Sequence, residues 1–77
     1  MDAVIYSNGN QECERAMSFL ESQGISYTIY ELGKDFTEKQ FTTEFGMVEY
    51  PQVNIGYIHV GGLKETLTYV TSSVLVS

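Results

Sequence analysis

The sequence is poor in the residues that build redox and metal centres. Its 77 residues contain one cysteine, Cys13, and one histidine, His59. A single cysteine cannot form an internal disulfide or a C-x-x-C redox pair, and it cannot provide a cysteine-built zinc site. A histidine-rich metal site is excluded in the same way. We therefore expect no bound metal, and we assign His59 to a hairpin without a chemical task.

Basic residues are also scarce. The chain has four lysines and arginines against ten acidic residues, which gives a formal net charge of −6 at pH 7. An acidic surface repels phosphate backbones and anionic lipid, so we predict neither nucleic acid nor a membrane as a partner. The simplest interpretation of the charge is a solvated surface, with recognition of a basic partner as the less favoured alternative.

The sequence contains no apolar run of the length that a membrane span needs. The first six residues carry an acid and no basic residue, and the chain turns polar at Ser7, which is not typical of a secretory signal peptide. A free thiol fits a reducing compartment. From these features we expect a cytoplasmic protein.

The hydrophobic fraction of 43% is typical of a folded domain, and the length allows one domain, over residues 1–77. Apolar periodicity and turn residues predict seven elements in the order βαβαββα. Asn10 is the expected N-cap of the first helix, and Thr37 with Gln40 forms a capping box for the second. The predicted elements are strand 3–7, helix 11–23, strand 25–32, helix 38–45, strand 52–55, strand 58–60 and a last helix over 63–70.

This order predicts an α/β architecture. The opening βαβ unit must cross over right-handed and give two parallel strands, and the later hairpin adds an antiparallel pair. The result is a four-stranded mixed sheet flanked by helices, which is the minimal thioredoxin-like fold. The last helix is the weakest prediction, because five β-branched residues lower its propensity and the tail at 72–77 could be frayed or irregular.

Four segments, in the right order and at nearly the right spacing, resemble the glutaredoxin family. They cover most of the chain, from Ala3 to about Val70. The first joins the opening strand to the helix start, the second spans the helix end and the next strand, the third resembles the family's cis-proline segment, and the fourth its H-I-G-G element. They are Ile5-Tyr6-Ser7 with Cys13-Glu14-Arg15-Ala16, Leu20 to Tyr27, Tyr50-Pro51-Gln52-Val53, and Ile58-His59-Val60-Gly61-Gly62.

The sequence departs from the family where the nucleophilic cysteine belongs. The family carries C-x-x-C or C-x-x-S where this chain reads Asn10-Gln11-Glu12-Cys13. Cys13 then matches the second cysteine of the motif, and Asn10 takes the place of the first. An amide side chain can only hydrogen-bond, so the simplest role for Asn10 is a helix cap. Cys13 is either a small packed residue, which we favour, or a reactive thiol near the helix start.

The resemblance also implies a cleft for glutathione or an extended peptide. It would lie between the start of the first helix, a cis Tyr50–Pro51 bond and the helix start after the two glycines, where free amides bind a carboxylate. Lys64 stands where the family usually has an acid, and it is either a ligand contact or a solvated charge. The expected lining residues are Asn10, Gln11, Tyr50, Pro51, Gly61, Gly62, Leu63 and Lys64.

Two functions follow from the resemblance. The first is a monothiol oxidoreductase that acts on glutathione mixed disulfides, with Cys13 as the catalytic nucleophile. The second is a redox-inactive binding module for glutathione, a peptide or a partner protein. A dimer that bridges an iron–sulfur cluster is a weaker third interpretation, because it normally uses the thiol that Asn10 replaces. We expect a monomer whose partner is glutathione or a protein thiol.

Overall fold

A computed structural model describes residues 2–76. Its elements follow the predicted order, and their bounds differ from the predictions by one or two residues except at the last helix. They are β1 (Asp2–Ser7), α1 (Gln11–Ser22), β2 (Ser26–Glu31), α2 (Glu38–Phe45), β3 (Gln52–Ile55), β4 (Ile58–Gly61) and α3 (Leu63–Val76).

The strands form one four-stranded sheet in the order β2-β1-β3-β4. β1 pairs parallel with β2, and it pairs antiparallel with β3 on its other side. β3 and β4 form the predicted antiparallel hairpin, with an irregularity in register between Val53 and Asn54. The α/β class and the mixed sheet flanked by helices are therefore confirmed.

The main hydrophobic core lies between one face of the sheet and helices α1 and α3. It is formed by alternate residues of the strands, which point to the same face, together with apolar residues of the two helices. The buried members of this cluster are Ala3, Ile5, Leu20, Val53, Ile55 and Val70.

Helix α2 contacts the opposite face of the sheet through aromatic rings. The ring of Tyr6, on the central strand β1, lies 4.9 Å from that of Phe45 and 6.4 Å from that of Phe41. The predicted capping box fixes the start of α2, because Gln40 N donates to Thr37 Oγ1 at 3.1 Å and Thr37 N donates to Gln40 Oε1 at 2.8 Å. The two caps predicted from the sequence, at Thr37 and at Asn10, are both present.

Helix α3 runs further than the sequence predicts, since it continues beyond Val70 to Val76. The hydroxyls of Thr66 and Thr68 are satisfied within the helix, because they donate to the carbonyls of Gly62 and Lys64, one turn before them, at 2.8 and 3.0 Å. Thr66 and Val70 are buried, so packing outweighs propensity here. Of the predicted irregular tail, Ser77 lies outside the described residues.

No helix within residues 2–76 is long and apolar enough to cross a membrane.

Candidate functional site

The start of α1 is closed by the side chain of Asn10. Its Oδ1 accepts a hydrogen bond from the backbone N–H of Cys13 at 2.8 Å, which satisfies one of the unpaired amides of the first turn. Its Nδ2 donates to the carbonyl oxygen of Tyr50 at 3.4 Å. Asn10 therefore caps the helix and joins it to the segment before β3, at the position where the family's motif has its nucleophile.

Cys13 lies beneath this cap and is fully buried, with 0% exposure. Its thiol donates to Asn8 Oδ1 at an S–O distance of 3.7 Å, and Asn8 itself is exposed. Thiol–disulfide exchange requires a sulfur that a disulfide can reach in line, and this sulfur is not reachable. Of the two predicted roles for Cys13, this burial favours the small packed residue.

The Tyr50–Pro51 peptide bond is cis, and the side chain of Pro51 is fully buried. The ring of Tyr50 stacks on that of Phe41 at a centroid distance of 4.2 Å. Its hydroxyl is buried with no hydrogen-bond partner among the described residues. Burial raises the pKa of Tyr50, and the negative charge of Glu38 raises it further.

The two glycines stand at the junction of β4 and α3. Gly61 has φ of +124°, and a Cβ added there would lie 3.1 Å from the side-chain carbons of Glu65. At Gly62 an added Cβ would lie 3.5 Å from the carbonyl of Pro51 and about 4 Å from the carboxylate oxygens of Glu65. The carboxylate of Glu65 therefore lies at the helix start where the resemblance implies an anionic ligand.

A groove of about 640 Å³ runs between the segment before β3 and the start of α3. Five of the predicted binding residues line it: Tyr50, Gly61, Gly62, Leu63 and Lys64. The other three do not line the groove: Asn10 reaches its wall only through the bond to Tyr50, Gln11 is exposed, and Pro51 is buried below it.

The charge of the groove is mixed and mostly negative. Lys64 is its one basic residue, and the carboxylates of Glu12, Glu49 and Glu65 also line it. Lys64, at the start of α3, attracts a ligand carboxylate. The carboxylate of Glu65 competes with that ligand for the same backbone amides. The field of the groove therefore does not favour a strongly anionic ligand.

Gln52 and His59 are among the groove residues to which the sequence analysis gave no binding role. His59 Nε2 lies 2.7 Å from Gln52 Oε1, and Gln52 Nε2 donates to the carbonyl of Glu49 at 2.6 Å. His59 also packs on the ring of Phe45, 4.8 Å away. This chain of contacts holds the segment before β3 against the hairpin. The signal in the sequence was a polar residue, Gln52, at the start of a strand in which polar and apolar residues alternate.

Comparison with known proteins supports the fold described above. The fold is similar to the solution structure of glutaredoxin from Brucella melitensis, with a TM-score of 0.74 and 25% sequence identity. The match covers 97% of this chain and 84% of that one. No family model matches the sequence, and no curated protein matches it significantly.

The sheet order, the helices on both faces and the segment around Pro51 define a protein of the thioredoxin fold. Within that fold, the structural match supports membership of the glutaredoxin family. The chain departs from the glutaredoxin motif at Asn10, which stands where that motif has its N-terminal active-site cysteine.

Proposed function

We propose that this protein is a glutaredoxin-like binding module that holds glutathione or an extended segment of a partner protein in the groove beside Tyr50, without thiol chemistry in its folded state. The observation that carries the proposal is the complete burial of Cys13 under the Asn10 cap. Position 10 carries no cysteine, and the cysteine at position 13 is buried. The groove therefore has residues that can contact a ligand but no exposed sulfur that could attack a disulfide.

The groove supports binding through its amides and its lysine. The first turn of α3 presents unpaired N–H groups, which stabilise a carboxylate, and Lys64 adds a positive charge beside them. Glu65 opposes a second negative charge. We therefore expect weak binding of glutathione and better binding of a peptide that brings one carboxylate and a neutral or basic remainder.

Monothiol exchange at Cys13 is the second candidate, and one observation favours it. The sulfur contacts the side chain of Asn8, which belongs to the exposed segment Asn8–Gly9. If this segment opens, the Cys13 thiolate can attack a glutathione mixed disulfide. A bond then forms between Cys13 and the glutathione sulfur, and the partner's thiolate leaves. A second glutathione thiolate restores Cys13 and releases oxidised glutathione.

The thiol can be tested by intact mass spectrometry of the reduced protein incubated with oxidised glutathione near neutral pH. We expect no adduct on the folded protein and one adduct after denaturation, absent from Cys13→Ser. Asn10→Cys is the matched positive control, since it returns a thiol to the helix cap, where its pKa is lowered; it should gain a glutathione adduct or a disulfide with Cys13. A rapid adduct on the native wild-type chain would favour the oxidoreductase instead.

Binding can be tested separately with S-methylglutathione, which cannot form a disulfide. In a titration followed by amide NMR, we expect saturable shifts at Gly62 and Leu63. Lys64→Ala should weaken them, whereas Lys39→Ala, an exposed lysine on α2, should not. The absence of saturable shifts would rule out glutathione as the ligand and leave a protein segment as the partner to be tested.

A further inference from the structure

A second concave site lies on the face of the sheet that α2 covers. It has a volume of about 430 Å³, within the range of natural ligand pockets. It shares no lining residue with the groove beside Tyr50. We call it the aromatic cleft, and the residues that matter for the argument are Tyr6, Tyr30, Phe36, Phe45, Asp35 and Glu44.

The walls of the aromatic cleft are ring faces and edges arranged around Tyr6. The Tyr6 ring lies 5.5 Å from Tyr30, 5.4 Å from Phe36 and 4.9 Å from Phe45, at tilted or edge-on angles. Tyr30 is 39% exposed although it is a large aromatic residue. Clustered rings of this kind attract a cation placed over them, and they exclude water from its apolar stem.

The rim of the aromatic cleft is negative and has no cation of its own. Asp35 Oδ2 accepts from the backbone N–H of Glu31 at 2.9 Å, so this carboxylate is held in place by the backbone. Glu44 has no ion pair within residues 2–76. The charge of Glu44 acts on the ring of Tyr6: the pKa of Tyr6 is raised chiefly by burial and, to a smaller extent, by Glu44.

We propose that the aromatic cleft binds an arginine side chain presented by a basic segment of a partner protein. The charge complementarity decides the occupant: two carboxylates stand beside a group of rings, and the guanidinium is the biological cation that both stacks on rings and donates two hydrogen bonds to one carboxylate. Lysine fits less well, because its ammonium is more strongly hydrated and does not stack. An acidic surface that is merely solvated would not need this concave shape.

The test uses the full chain and Nα-acetyl-L-arginine amide, which carries only the guanidinium charge. Amide and aromatic NMR should show saturable shifts at Tyr6, Tyr30 and Phe45, weakened by added salt. Nα-acetyl-L-citrulline amide, a neutral analogue of the same shape, should not produce them. Equal binding of the two probes, no saturable shift at the cleft, or tighter binding of Nα-acetyl-L-lysine amide would overturn the proposal.

Glu44→Gln should weaken arginine binding by about two- to fivefold, as expected for loss of one partly exposed charge contact. Glu14→Gln is the matched control, since Glu14 is an exposed carboxylate on α1, and it should leave the affinity unchanged. Equal affinities for wild type and both variants would count against the cleft. Because Gly62 and Leu63 should not shift with the arginine probe, this outcome is independent of the groove.

Discussion

The two faces of the sheet are built from different side chains and are closed to different degrees. On the face covered by α1 and α3, aliphatic residues such as Ile5, Leu20 and Val53 are fully buried. On the face covered by α2, aromatic residues such as Tyr6 and Phe45 are only half-buried. Short helix α2 has eight residues, too few to cover a face that two longer helices cover on the other side.

Because of this difference, we expect one face of the sheet to contribute mainly to stability and the other mainly to ligand recognition. Aliphatic side chains pack at high density on the closed face, where the loss of a single methylene lowers the free energy of unfolding. Rings on the open face leave concave space between them and keep polar edges near solvent, which suits binding. The groove beside Tyr50 touches the open face through His59 and Phe45. We therefore expect mutations to affect folding on one face and ligands on the other.

The largest expected effect is on the closed face. Leu20→Ala removes a fully buried side chain and leaves a cavity, so the free energy of unfolding should fall by about 2–5 kcal/mol. Urea denaturation followed by circular dichroism measures it. A domain of this size has little stability to spare; if Leu20→Ala does not fold, Ile5→Val should still show a loss of about 0.5–1.5 kcal/mol.

The matched variant on the open face is Tyr30→Ala. Tyr30 is 39% exposed, so its truncation removes less buried area. We expect a loss of about 1 kcal/mol or less. Losses of similar size for Leu20→Ala and Tyr30→Ala would contradict the separation between the two faces.

The helix caps give the next comparison. Asn10→Ala removes the acceptor for Cys13 N–H and the donor to the Tyr50 carbonyl, and we expect it to cost about 1–2 kcal/mol. Thr37→Ala removes an exposed cap on α2, and the expected loss is about 0.5–1 kcal/mol. Thermal unfolding compares the two. An equal or larger loss for Thr37→Ala would show that α2 contributes more to stability than its packing suggests.

The local features of this fold are predictable from sequence because their causes are local. The N-cap at Asn10, the capping box at Thr37 and the succession of helices and strands along the chain depend on residues within a few positions of one another. The extension of α3 to Val76 could not be predicted in this way. In the first turns of α3 the threonines have poor propensity, and the burial of Thr66 and Val70 that outweighs it is a tertiary effect.

The site was predictable only in part, for the same reason. The resemblance located the groove through Tyr50 and the two glycines, which line it. It could not locate Glu65 at the start of α3 or the contact of His59 with Gln52, since both depend on how β4 turns into α3 and pairs with β3. The burial of Cys13 was likewise a question of packing, on which the sequence left two answers open.

The smallest expected effect concerns the phenol of Tyr6 on the open face. Burial raises the pKa of Tyr6, and Glu44 and Tyr30 raise it further. The folded protein therefore holds this proton more tightly than the unfolded chain. The stability linked to it is complete below the unfolded-state pKa of about 10 and is lost as the pH rises through the folded-state value. Unfolding should accordingly become easier in alkaline solution.

Glu44→Gln removes one of the two charges that raise the pKa of Tyr6, so that pKa should move toward the ordinary value while burial keeps it above. A titration of the Tyr6 ring carbons by NMR resolves it from the other five tyrosines. Glu14→Gln should leave it unchanged. If Glu44→Gln does not lower the pKa of Tyr6, the carboxylate does not face the rings, and the charge argument for the aromatic cleft loses its main support.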